Sequence, residues 1–216
     1  MNLFRTLIIA ALGFAALPAF ALSAGGEAQL HQLQTRWAEI NYQTPEKQRE
    51  EAFAKLVTQA DAALASEPKA PELLIWRGII LSTQAGAKGG LGALSLVKEA
   101  KSNLEQALAI DPQALAGSAY TSLGSLYYQV PGWPIGFGDD EQAEQMLKQA
   151  LAINPNGIDP NYFYGDFLQR QKRFEEAHAA LEKALAAKDR PGRELADQGR
   201  RAEAQALLQQ VAGKLR

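Results

Sequence analysis

The sequence predicts an all-α protein, a right-handed solenoid of about four stacked helix pairs with a capping helix at its C-terminal end. Three observations carry that reading. First, one spacing recurs four times: a small or apolar residue, apolar residues four and seven positions on, then a helix stop at twelve. It reads Leu56, Ala60, Ala63, Pro68; Ala100, Leu104, Ala107, Pro112; Ala143, Leu147, Ala150, Pro155; and Ala177, Leu181, Ala184, Asp189. Second, a glycine follows each of the first three stops by ten to twelve residues, at Gly78, Gly124 and Gly165. Third, apolar residues make up 47% of the 216-residue chain, yet no strand-like alternation of Val, Ile and Thr occurs.

The N-terminus, residues 1–21, reads as a cleaved signal peptide. Arg5 is its only charge, Leu7 to Leu17 is an apolar run, Pro18 breaks it, and Ala19-Phe20-Ala21 places small residues where a signal peptidase cuts. The run is too short for a spanning helix, which needs about 20 residues. The mature chain is expected to start at Leu22 in the periplasm or outside the cell.

Residues 22–43 form an N-terminal helix with Leu30, Leu33, Trp37 and Ile40 on one stripe. Residues 44–190 form the repeat domain. Thr44-Pro45 opens its first helix, Thr44 accepting from free amides and Pro45 taking the first helical position. Further helices are expected over 71–84, 93–110, 114–129, 140–153, 160–171 and 173–187, with Asp159-Pro160 opening one as Thr44-Pro45 does. Residues 191–216 read as the cap, with Leu195, Ala202, Leu207, Leu208 and Val211 inward and Arg200, Arg201 and Glu203 in water.

Within the third pair, Tyr120, Leu123, Gly124 and Tyr127 match the pattern W-x2-L-G-x2-Y with Tyr in place of Trp. Asn161, Tyr164, Gly165 and Leu168 repeat the spacing, followed by Phe174, Ala177, Leu181 and Ala184. The chain thus resembles the tetratricopeptide repeat family. Glycine in the first helix and alanine in the second lack bulk where two axes cross closely, and larger residues fill the flanks. The resemblance implies a concave groove on the first helices that takes a protein or peptide. A second resemblance, carried by GIDPNYFYGDFL and by long insertions between helices, is to the T-component proteins of TRAP-type substrate transporters. It implies a ligand-handling accessory role.

Composition narrows the chemistry. Cysteine is absent, which excludes disulfides, thiol catalysis, thiolate metal sites and lipid attachment through an N-terminal Cys. A net charge of -2 encodes no pull toward nucleic acid. His31 and His178 stand apart, no serine sits in a G-x-S-x-G elbow, and Asp139-Asp140 lies where a helix cap belongs. The Gly-rich stretch 85–94 has Lys88 ahead of its last glycines, the wrong order for a phosphate loop. No catalytic, cofactor or metal site is expected.

Two candidate binding surfaces remain. The insertion VPGWPIGFG places Trp133, Ile135 and Phe137 in one loop, to serve either as a plug or as a contact surface. The inner face of the first helices presents Ile75, Ile79, Thr121, Ser125, Tyr128, Tyr162, Asp166, Gln169 and Arg170. With Arg170 its one expected cation, this face suits a partly apolar peptide or a small apolar ligand rather than an acidic one.

Overall fold

The computed structural model of the protein describes residues 22–215, so the signal-peptide reading falls on residues outside that range. The described residues form nine helices: α1 (Ala24–Gln43), α2 (Glu46–Ser66), α3 (Pro71–Lys88), α4 (Ala93–Ile110), α5 (Ala114–Gln129), α6 (Asp140–Ile153), α7 (Ile158–Arg170), α8 (Phe174–Leu185) and α9 (Glu194–Ala212). They pack as antiparallel pairs, α1 with α2 through α7 with α8, and α9 covers the last pair. This is the predicted solenoid with its cap.

The recurring spacing is the core of the second helices. Every residue of its apolar triplets, from Leu56 to Ala184, is at most 2% exposed. Residues four apart lie on one helical face, so each triplet forms a stripe against the preceding helix. The glycines meet those stripes. A Cβ on Gly78 would lie 2.8 Å from Leu104, one on Gly124 2.6 Å from Leu147, and one on Gly165 2.7 Å from Leu181. In each pair the backbone carbonyl of the partner alanine (Ala100, Ala143 or Ala177) is also within 3.5 Å. Close axial approach, repeated three times, fixes the pair geometry.

Several helix ends differ from expectation. Helix α3 runs a turn further than 84, because Ala85 packs in the core and Lys88 pairs with Glu50 at 2.7 Å. Gly89 and Gly90, at φ 64° and 61°, then stop it. Thr44 does not cap α2; its hydroxyl turns back to the Glu39 carbonyl at 3.4 Å. Asp159 does not open α7 either. The helix starts at Ile158 and the Asp159 carboxylate is drawn away by arginines. Asp139 does cap α6, accepting from the amides of Glu141 at 2.9 Å and Gln142 at 3.0 Å.

The cap required the largest correction. Ala196, Arg200, Ala204 and Val211 form the buried stripe of α9, whereas Ala202 is exposed. Arg200, expected in water, is only 9% exposed. The reason is the course of the array. Helices α1, α3, α5, α7 and α9 each touch the next, and α9 also touches α1, so the inner helices close into a ring. A ring gives α9 two packed faces where an open array gives one.

Candidate functional site

The ring encloses a central cavity of about 810 Å³, within the range of small-ligand sites. Trp37 and Tyr42 of α1, Trp76 and Ile79 of α3, Leu115 and Thr121 of α5, and Tyr162 and Asp166 of α7 line it. The ring closes from the far side with Arg193 and Arg200. Trp37 lies edge-on to both Tyr42 and Trp76, with centroids 5.9 Å apart in each case. Its indole nitrogen donates to Thr83 Oγ1 at 2.9 Å, so the Trp37 indole is satisfied from within.

Opposite lies an ion-pair network. Arg190 donates to Asp159 at 2.6 Å and to the buried Asp197 at 2.5 Å; Arg200 donates to Asp159 at 2.9 Å and to Glu203 at 2.6 Å. Burial alone would raise the Asp159 carboxyl, but the charges of Arg200 and Arg190 outweigh it and hold the group at about 2. The Arg200 guanidinium also stacks 4.5 Å from Tyr162 and 4.7 Å from Phe163. Beside it, Tyr128 donates to Asp166 at 2.8 Å and lies under Arg170. Burial, then the Asp166 charge, pushes the Tyr128 phenol well up.

At its entry the first turn of α5 departs from helix geometry. Leu115, Ala116 and Gly117 all have positive φ, at 48°, 53° and 76°. For Leu and Ala that conformation costs on the order of 1 kcal/mol each. The turn presents Leu115 and Ala116 to the cavity, and the fold sustains it beside a binding surface.

The predicted inner-face residues divide. Ile79, Thr121, Ser125, Tyr162, Asp166 and Arg170 line the cavity. Tyr128 does not line it but touches three residues that do, Gln129, Asp166 and Arg170; Gln169 does not line it, and Ile75 is fully buried in the core. The expectation of a single cation is overturned: Arg49, Arg190, Arg193 and Arg200 join Arg170. Sequence reasoning missed them because they lie off the first helices of the pairs: Arg49 comes from α2, and Arg190, Arg193 and Arg200 come from α9 and the segment before it, which fold back on α7 and α1. The available signal was the spacing Ala196, Arg200, Ala204, in which an arginine interrupts a buried stripe of small residues.

The Trp133 loop lies outside this lining. Phe137 packs edge-on against Tyr127 at 5.7 Å and Lys101 sits over both rings. The Gly138 amide donates to Pro131 O at 3.0 Å, and Asp139 N to Tyr127 O at 2.8 Å, which ties the loop base to α5. A Cβ at Gly138 would collide with the Val130 carbonyl, so only glycine closes the loop. Trp133 and Ile135 are held outward, 90% and 57% exposed. The loop is therefore part plug, through Phe137, and part exposed apolar tip.

A helical-pair array whose crossings are glycine on alanine and leucine is a repeat protein of the helix-turn-helix class. Residues 135–193 match the tetratricopeptide repeat family. No curated protein matches it. Among solved structures it is similar to MamA, at 21% identity and a TM-score of 0.45, over 78% of this chain and 91% of that one. It is also similar to TTC0263, a thermophilic TPR protein of Thermus thermophilus, at 19% identity and a TM-score of 0.42, over 84% and 99% respectively.

Proposed function

We propose that this is an exported binding scaffold, periplasmic or secreted, that docks a partner protein through the tip of the Trp133 loop. The carrying observation is a tryptophan 90% exposed on a loop whose base is fixed by Phe137, Tyr127 and Gly138. A rigid, solvated aromatic offers contact area at little entropic cost, which is the character of an interface hot spot. The apolar run Leu7 to Leu17 before Ala19-Phe20-Ala21 supports export. A second reading, an accessory that handles the ligand of a TRAP-type transporter, draws support from the ring of inner helices, since a cavity of about 810 Å³ at its centre is of small-ligand size.

The test uses protein recovered from the exported fraction, whose N-terminus should read Leu22-Ser23. Trp133→Ala should abolish co-purification of its partner while leaving Tm within about 2 °C, because little is buried there. A Trp133→Ala protein that still captures the partner in full removes the loop from the interface.

A further inference from the structure

The seam between α1 and α9 holds two polar groups that the fold leaves unsatisfied. Arg193, just before α9, lies with its guanidinium 4.8 Å from the Trp76 ring centroid. Its Nε is buried and has no hydrogen-bond partner among the described residues. The hydroxyl of Tyr42, on the α1 side, is likewise buried without a partner. Three other cavity arginines have carboxylates: Arg170 with Asp166, Arg190 with Asp159 and Asp197, Arg200 with Asp159 and Glu203. Arg49 gives its Nε to the Thr44 carbonyl at 2.9 Å. Burial, then the charge of Arg190, moves Arg193 below the usual arginine value. A buried guanidinium nitrogen and a buried phenol oxygen without partners carry a desolvation cost that an incoming anion would relieve.

The shape of these donors narrows the anion. A guanidinium is a planar fork that matches the two oxygens of a carboxylate, and a neighbouring phenol supplies one more donor. Arg193 makes no ion pair within 4 Å among the described residues, so its planar fork is free to take the two coplanar oxygens of a carboxylate head. Trp37, Trp76, Ile79 and Leu115 line the same cavity with apolar surface. We propose that the cavity binds a small organic monocarboxylate, its head on Arg193 and Tyr42 and its apolar body against Trp37, Trp76 and Ile79. The site exists only because the ends of the array meet, and the inference does not depend on the loop reading.

The experiment titrates the folded protein with acetate, hexanoate, phenylacetate and indole-3-acetate, reading Tm and calorimetric heat, with phenylacetamide and inorganic phosphate as comparisons. The larger carboxylates should raise Tm and saturate, with phenylacetamide weaker by about tenfold or more and phosphate without effect. Arg193→Gln should lose the response while keeping its helical circular dichroism. Tyr42→Phe removes a hydroxyl that holds nothing in the fold, so it should melt no lower and bind several-fold more weakly; it decides the matter if Arg193→Gln does not fold. Trp133→Ala should bind the carboxylates normally, so this proposal and the loop reading fail separately. The proposal is overturned if no carboxylate gives a response, if phenylacetamide equals phenylacetate, or if the folded seam variants bind unchanged.

Discussion

Asp159 is the residue on which the closing network turns, since it faces Arg190 and Arg200 together. Its folded value of about 2 lies below the ordinary 3.8. A lowered carboxylate contributes stability that is complete above its unfolded value and is lost as pH falls through its folded value. The contribution should therefore be present at neutral pH and fade between about pH 4 and pH 2. Replacing it, Asp159→Asn, leaves two arginines short of a counter-charge and should cost about 3 kcal/mol near pH 7. Urea melts of both proteins at pH 7 and at pH 2 check this: the gap should be wide at the first and nearly closed at the second. This network was illegible in the sequence, because Arg200 and Asp159 are 41 residues apart and meet only where α9 packs back on α7. The Asp139 cap was legible because its amide partners lie two and three residues away. Local pairings can be read from spacing, whereas a charge pair between helices depends on how the cap docks on the last repeat.

At the scale of the helix pair, the crossing glycines differ sharply from Gly86 in the Gly-rich stretch. Gly124→Ala would set a Cβ 2.6 Å from Leu147 Cγ, 2.9 Å from Leu147 Cδ2 and 3.2 Å from the Ala143 carbonyl. Overpacking of that kind should cost about 2 kcal/mol. Gly86 sits in α3 with nothing within 4 Å of its would-be Cβ. Gly86→Ala should therefore stabilise by up to about 1 kcal/mol through helix propensity. Chemical denaturation of the two variants should move the midpoint in opposite directions. Both residues look alike in the sequence except for one thing: Gly124 stands in the repeat's spacing and Gly86 does not. That distinction made the pair architecture readable and gave the boundaries of α4, α5 and α6 to the residue. The end of α3 was missed because a core contact at Ala85 outweighs the low propensity of the glycine beside it.

For the molecule as a whole, closure changes how the array should unfold. Open arrays, stabilised only between neighbours, can lose end repeats before the middle. Here α1 and α9 brace each other: Tyr42 lies against Gly199, where a Cβ would meet its ring at 2.4 Å, and Arg193 covers Trp76. Unfolding should accordingly be a single transition with tryptophan fluorescence and circular dichroism coincident. Gly199→Leu, which forces the seam apart, should separate the two signals by letting the terminal helices melt first.

The same seam sets a census for the chain. A spiral staircase can gain or lose a step and still climb, but a closed arch stands only with its full count of stones. One more helix pair between α6 and α7 would part α1 from α9 by roughly the 8–10 Å width of a helix. That gap would lift Gly199 off Tyr42 and Arg193 off Trp76. Duplication, the usual route by which repeat arrays lengthen, is closed to this one as long as its cavity has to stay whole.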